Sequence, residues 1–417
     1  MESPAAIAFD PYRAFALDDP YPVFRWLRDE DPVHHAEDAD LWVVTRYEDC
    51  LEVLRDPELF SSKLGMRLAF EGSRRRLDGD AAGAEDPFAA MGAEDLRVLI
   101  AIDPPDHVRL RRLLSRPFTP REIGLHEAWI RPICEERFDE LLAADEAGGA
   151  DWVGDFTWPF PVLVIGELMG IPAAMRADFK RWSDDLIGTF VGGTDASDRR
   201  AESLVEMVGF FGQAIEERRT GPGSDLVSML IGRAEADEEP LTAEELVLFC
   251  ILLLVAGNET TTNLLSNAAK VFCADPGVLG ALHEEPGLVP GAVEEALRFD
   301  SPVQTVPRGT TRPVRLGATD LPAGAVVLAH MGSANRDERH FADPDRFDLR
   351  RQPADHLGFG SGIHLCLGAP LARLEARVAL ETLSRRVAEI ELTAPPTPTG
   401  GLLLRGASSM PARFLLR

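Results

Sequence analysis

The sequence predicts a mainly α protein with small β-sheets, an α+β chain whose helical core is organised around one long central helix. Three observations predict it. Helical patterning runs almost unbroken from Pro104 to about Glu285. Within it lies a capped apolar segment far longer than an ordinary surface helix. Short extended pieces occur only near residue 40 and beyond Pro302. A length of 417 residues allows two or three domains, but no repeat or long linker divides the chain. One domain over 1–417 is therefore expected, with a β-rich part at about 30–60, a helical core at about 104–300 and a glycine-rich loop at 359–368.

Taken in order, Pro32–His35 and Trp42–Arg46 read as two short strands, and Tyr47–Arg55 as a helix. Ser61–Leu99 lacks clear periodicity and contains Gly65, Gly72, Gly79, Gly83 and Gly92, so a long loop is expected there. The helical stretch that follows is punctuated at Gly170-Ile171-Pro172 and Gly221-Pro222-Gly223. Near Leu241 the clearest helix begins. Thr242 and Glu245 have capping-box spacing, and the pattern runs to about Ala274, before Pro276. Roughly 32 residues at ~1.5 Å each make a rod of roughly 48 Å. Its middle is apolar on nearly all sides, which marks a buried helix. Val314–Leu316 and Ala325–His330 read as strands, Asn335–Arg351 as a Pro/Asp/Arg-rich meander, and Leu371–Val387 as a helix.

Hydrophobic residues make up 45% of the chain and charged residues 27%, an ordinary globular composition. A net charge of −26 argues against a nucleic-acid partner, whose phosphates such a protein would repel. The first twenty residues include Glu2, Asp10, Arg13, Asp18 and Asp19, so no leader peptide is expected. The longest apolar run, Leu246–Ala256, has eleven residues, against the roughly 18–20 that span a bilayer, and no membrane segment is expected. Cys50, Cys134, Cys250, Cys273 and Cys366 are scattered and odd in number, which suits a reducing compartment. The expectation is a cytoplasmic, monomeric enzyme.

The sharpest motif is Phe359-Gly360-Ser361-Gly362-Ile363-His364-Leu365-Cys366-Leu367-Gly368, followed by Ala369-Pro370-Leu371-Ala372-Arg373. Its glycines let the backbone turn tightly against something flat or close. Cys366 sits where a helix begins, and amides there favour a thiolate. Such a thiolate can be a nucleophile or a metal ligand. Zinc would want four ligands, and only His364 and His356 are near. As a nucleophile it would need a base, for which His364, two residues away in a loop, is poorly placed. A buried inert thiol leaves the glycines unexplained, and an axial ligand to haem iron is the remaining option.

Three other segments invite chemistry. Glu295 and Arg298, at i and i+3, share a helix face and can pair, though most such pairs are solvated. Ala256-Gly257-Asn258-Glu259-Thr260-Thr261 puts an acid and hydroxyls inside the apolar helix, costly unless satisfied or used. The hydroxyls can bond back to carbonyls one turn earlier, while Gly257 can open space. In Asp103-Pro104-Pro105-Asp106-His107-Val108-Arg109-Leu110-Arg111, Asp103 can cap the following helix. His107 and Arg111, at i and i+4, can reach one anionic group.

The 359–368 segment resembles the haem-binding signature of the cytochrome P-450 superfamily, the haem-thiolate monooxygenases, and similarity to the soluble bacterial members extends from about Asp10 to the C-terminus. The resemblance implies that family's fold, a helical core around buried haem b (iron protoporphyrin IX). Cys366 would be the iron ligand, with Phe359, Gly360, Ala256 and Gly257 against the cofactor. His107, Arg111, Arg308 and His364 would hold the haem propionates. Glu295, Arg298 and Arg346 (in Pro344-Asp345-Arg346-Phe347) would form a buried brace for the cysteine loop. Thr260 would hold dioxygen and its water, and Glu259 would relay protons. The substrate pocket would be lined by the 61–99 loop, a candidate lid, with Leu252, Val255, Asn258, Val303, Gln304, Thr305, Ser408 and Ser409. Asn258 and Gln304 are the candidate polar anchors in an otherwise apolar wall, which suits a medium-sized hydrophobic substrate.

Five arginines and no acid lie between His107 and Arg121. This basic patch, at Arg109, Arg112 and Arg116, is the expected dock for an acidic ferredoxin. Electrons would come from NAD(P)H through a ferredoxin reductase, since no Gly-x-Gly-x-x-Gly nucleotide fingerprint follows a strand. A peroxide-driven peroxygenase and a non-enzymatic haem-thiolate binding protein are the alternatives.

Overall fold

The computed structural model describes residues 17, 19–77, 97–175, 177–179, 181–183, 185, 197–234, 239–399 and 401–417. Helix α1 (Tyr21–Glu30) leads into the hairpin of β1 (Val33–Ala36) and β2 (Leu41–Val44), followed by α2 (Tyr47–Arg55) and β3 (Phe60–Ser61). Helix α3 (Ser62–Leu77) opens the stretch expected to be a loop. The expectation fails there because the helix is held from outside. Asp103 does not cap its own downstream helix. Its carboxylate accepts instead from the Ser61 hydroxyl and the Ser62 N–H, at the first turn of α3. Residues 78–96 of the expected loop lie outside the described residues.

The helical layer comprises α4 (Asp106–Leu114), α5 (Pro120–Gly124), α6 (Glu127–Glu146), α7 (Pro159–Leu168), α8 (Ser197–Thr220), α9 (Leu226–Ala234), α10 (Ala243–Ala274), α11 (Pro276–Glu284) and α12 (Val289–Phe299). The central helix α10 is 32 residues long and starts with both arms of its capping box. The Glu245 N–H donates to the Thr242 hydroxyl at 3.1 Å, and the Thr242 N–H to the Glu245 carboxylate at 3.0 Å. By length and composition α10 could cross a bilayer, yet 67% of its most apolar window is buried within the protein. It packs on α7 and α8 and on the late helix α14 (Ala369–Arg386), introduced below. Gly257 serves that packing: a Cβ there would lie 2.8 Å from Ile165 of α7, so neighbouring side chain fills the space the missing one was expected to open.

Beyond α12 come β4 (Thr305–Thr310), β5 (Val314–Leu316), β6 (Thr319–Leu321), β7 (Val326–His330) and the short α13 (Met331–Ala334). The main sheet has the order β1-β2-β7-β4-β3. Only β2 and β7 run parallel, with Trp42 opposite Val327, while β4 pairs antiparallel with β7, placing Thr305 opposite His330. The sheet therefore joins residues near 40 to residues near 330. After the cysteine loop and α14, the strands β8 (Val387–Leu392), β9 (Thr397–Pro398), β10 (Ala407–Ser409) and β11 (Ala412–Leu416) close the chain as two antiparallel ribbons. These ribbons are an addition to the sequence reading, as is β4. Buried apolar residues of α4, α6–α12, α14 and the β8–β11 ribbon form one continuous core, with a second cluster under the sheet.

Candidate active site

The loop before α14 is a tight backbone structure. Cys366 donates its N–H to the Phe359 carbonyl at 2.9 Å, and Gly360 donates to Leu357 at 2.8 Å. Gly360 and Gly362 have φ of +73° and +69°, the left-handed region that side chains disfavour. A Cβ on Gly362 would also meet the Leu54 carbonyl at 2.5 Å, so glycine is required there twice over. Burial raises the Cys366 thiol above its ordinary value. The N–H groups of Gly368 and Ala369 and the charges of Arg111 and Arg373 oppose that shift without overcoming it. The expected helix-start effect on the thiolate is present but is outweighed. A cation bonded to the sulfur would tip this balance, with four groups already placed to stabilise the anion. Cys366 is open to solvent although protein surrounds it, so the sulfur borders an interior space.

Helix α10 carries a stripe of accessible side chains in its middle. Leu252, Val255, Ala256, Glu259 and Thr260 are exposed or half-buried at helical spacing, whereas Leu254, Asn258, Thr261 and Thr262 are buried. The Thr260 hydroxyl donates to the Ala256 carbonyl at 2.7 Å, the local bond open to any such threonine.

Four basic side chains converge near the loop. The rings of His107 and His364 lie 4.3 Å apart. His107 is buried, and neither ring nitrogen has a hydrogen-bond partner among the described residues. Burial, then the charges of Arg308, His107 and Arg111, push His364 down to about 3. Arg308 is buried, which lowers it to about 10, with Asp103 acting in the other direction. Arg111 donates to the Leu365 carbonyl at 2.6 Å. Two arginines, a partnerless His107 and His364 thus share one pocket, and it suits a buried group bearing two carboxylates. A flat iron porphyrin with two propionates fits both halves of the site. Zinc does not: among the described residues no cluster of three His, Cys, Asp or Glu side chains exists. His364 Nε2 lies 2.9 Å from the Ser62 hydroxyl, and no hydrogen bond joins the ring to Cys366 among the described residues.

The pair expected to brace the loop lies on α12 and ties it to the meander before the loop. Glu295 and Arg298 are completely buried and bond through both carboxylate oxygens, each at 2.8 Å. Arg298 also donates to the carbonyls of Asn335 and Pro344 at 2.9 Å. The third member is Arg351, not Arg346. The Arg351 guanidinium donates to Glu295 at 3.1 Å, whereas Arg346 is 69% exposed at the side chain, pairs with Asp348 and offers the brace only its carbonyl. Both arginines occupy the same meander, and the turn at Asp348–Arg351 decides which one points inward.

The amide nitrogens of the expected polar anchors are engaged elsewhere, while Asn258 Oδ1 and Gln304 Oε1 have no partner among the described residues. Asn258 is buried on the far face of α10 and donates to Ser183 at 3.5 Å. Gln304 donates to the Ser301 carbonyl, and Thr305 to the Leu402 carbonyl, both at 2.7 Å. Ser408 donates to Thr397, and Ser409 bonds to Asp151. The segment that lies beside Val303–Thr305 is Leu402–Leu404, with Val303 bridged to Leu404 and the Gln304 N–H donating to Leu403. The apolar Gly401-Leu402-Leu403-Leu404 run was the sequence signal for it. In the basic patch Arg109 is committed to Glu245 and to the carbonyls of Glu239 and Pro240, leaving Arg112 and Arg116 as its exposed members.

A family model for cytochrome P450 matches residues 177–405. The chain is 41% identical over 390 residues to the cyclomarin C epoxidase CymV of Salinispora arenicola, covering 92% of this chain and 93% of the relative. It is 37% identical over 406 residues to the cytochrome P450 monooxygenase PikC of Streptomyces venezuelae, covering 95% and 91%. The structure of cytochrome P450 CYP109Q5 from Chondromyces apiculatus matches with a TM-score of 0.83 at 37% identity, covering 96% of each chain.

Proposed function

Because this chain belongs to the cytochrome P450 family, a haem-binding oxidoreductase family whose bacterial relatives are monooxygenases, we propose that it inserts one atom of dioxygen into a medium-sized, largely hydrophobic substrate. Electrons come from NAD(P)H through a ferredoxin reductase and an acidic ferredoxin. The observation that carries this reading is the pairing of an accessible Cys366 with the basic cluster of Arg111, Arg308, His364 and a partnerless His107. Haem, when bound, would supply the dioxygen-activating redox chemistry, which a thiolate from Cys366 would favour.

The chain's own residues supply the rest. Cys366 provides the thiolate, and the Gly368 and Ala369 amides with Arg111 and Arg373 hold its charge. His107, Arg111, Arg308 and His364 orient the porphyrin through its carboxylates, while Phe359, Gly360, Ala256 and Gly257 flank it. The brace of Glu295, Arg298 and Arg351 keeps the loop rigid. Glu259 takes up protons, and the Thr260 hydroxyl passes them on after releasing the Ala256 carbonyl. Leu252, Val255, Val303 and Leu404 form an apolar wall that excludes water and selects a hydrophobic substrate. That cyclomarin C epoxidase is a relative supports a role in secondary metabolism, and five unpaired cysteines support a cytoplasmic setting.

The test is optical. The reduced protein treated with carbon monoxide is expected to give a haem-thiolate adduct that Cys366→His abolishes, and an unchanged adduct spectrum rejects the reading. Substrates are then found by the spin-state shift of the ferric haem. Full turnover with peroxide alone would assign the peroxygenase alternative instead.

A further inference from the structure

Side chains at the start of α3 meet the cysteine loop in a way the mechanism above leaves unused. Ser62 is fully buried, and its hydroxyl lies 2.9 Å from His364 Nε2. Its N–H donates to Asp103 Oδ1 at 2.8 Å, while Asp103 Oδ2 accepts the Ser61 hydroxyl at 2.5 Å. The Ser61 oxygen in turn accepts the Leu64 N–H at 2.9 Å. Asp103 thus fixes the first turn of α3, and with it the position of the Ser62 hydroxyl. On the other side of the ring, His364 Nδ1 has no hydrogen-bond partner among the described residues, and the ring packs against His107.

We propose that Ser62 is a positioning residue that sets the tautomer of His364, with Asp103 holding it in place, so that the imidazole presents an N–H at Nδ1 to a haem propionate. The inference rests on the propionate role of His364 given above. A neutral imidazole carries one proton and a carboxylate can only accept. A ring that donates at Nδ1 is bare at Nε2, and a bare buried nitrogen needs a donor. The Ser62 hydroxyl is the donor within reach, and a serine hydroxyl can turn its proton to suit. Loss of that hydroxyl lets the proton settle on Nε2, which points a lone pair at the carboxylate. This is the logic by which outer partners fix histidines that hold metals.

Haem transfer from the ferric holoprotein to excess apomyoglobin, followed by absorbance, tests this without any turnover. Ser62→Ala is expected to speed haem loss ~5-fold, the factor of a single neutral hydrogen bond. Ser62→Thr keeps the hydroxyl and is expected to stay near the parent rate. In a His364→Ala background, which should itself lose haem faster, Ser62→Ala is expected to add nothing. Parent-rate loss in Ser62→Ala beside a fast His364→Ala overturns the proposal alone, as does an equal acceleration by Ser62→Ala in both backgrounds. Parent-rate loss in His364→Ala overturns the propionate reading and the proposal together. If the threonine variant does not fold, the two-background comparison decides.

Discussion

A buried carboxylate is as stable as the cations that reach it. Glu295 is completely buried and takes Arg298 on both oxygens and Arg351 on one. Removing Arg351 leaves part of that charge uncompensated, so Arg351→Ala is expected to cost about 2 kcal/mol. Arg346→Ala, at an exposed side chain, is expected to change stability by less than about 0.5 kcal/mol. Denaturant midpoints of the two variants decide between them, and equal losses would return Arg346 to the brace. Glu294 supplies a pH-dependent counterpart. Burial alone would raise its carboxyl, but hydrogen bonds from Arg373 and His356 bring it from 4.5 down to about 2. A depressed carboxyl stabilises the fold above its unfolded value, and that contribution is lost as pH falls from about 4.5 toward 2. With Arg373 nearly half exposed, Glu294→Gln is expected to cost roughly 1–3 kcal/mol between pH 5 and 7. The gap to the parent should narrow below about pH 4.5 in urea titrations. A gap that widens there would contradict the sign.

At the scale of elements, helix α3 lies on strand β4 with no room for a side chain between them. A Cβ on Gly65 would sit 2.3 Å from the Arg308 Cα and 2.6 Å from its nitrogen, all rigid backbone. Gly309 faces Leu64 in the same contact, with a Cβ 2.5 Å from its Cγ. Gly65→Ala is therefore expected to destabilise by about 3 kcal/mol or more and to weaken haem retention, because Arg308 must move with its strand. A variant with parent stability and haem content would show that the two elements can separate cheaply. The start of α10 is more forgiving. Thr242→Ala removes one arm of the capping box and is expected to cost about 1 kcal/mol in a thermal or urea melt, with the haem spectrum unchanged.

For the molecule as a whole, a net charge of −26 makes a basic face conspicuous to an acidic partner. Arg109 is committed to Glu245, so the proposed docking of an acidic ferredoxin would rest on the exposed Arg112 and Arg116. Charge reversal at both is expected to raise the KM for ferredoxin about tenfold at low ionic strength, with the difference fading as salt screens the faces. An unchanged KM would move the docking site elsewhere.

What the sequence by itself determined is local. Helix α2 spans the expected Tyr47–Arg55, and the Thr242–Glu245 box forms as its spacing requires, since helical period and capping depend on residues a turn apart. The cysteine loop was legible for the same reason: its glycines, thiol and following helix are contiguous. The tertiary structure alone decided matters of direction. Arg346 and Arg351 share one irregular meander, and Asp103 could have capped either of two helices. Asn258 sits two residues from the accessible Ala256, yet on the buried side. Strands β4 and β8–β11 needed partners brought from far along the chain. In irregular backbone no period fixes where a side chain points, and a buried polar group goes wherever the packed fold leaves it a partner.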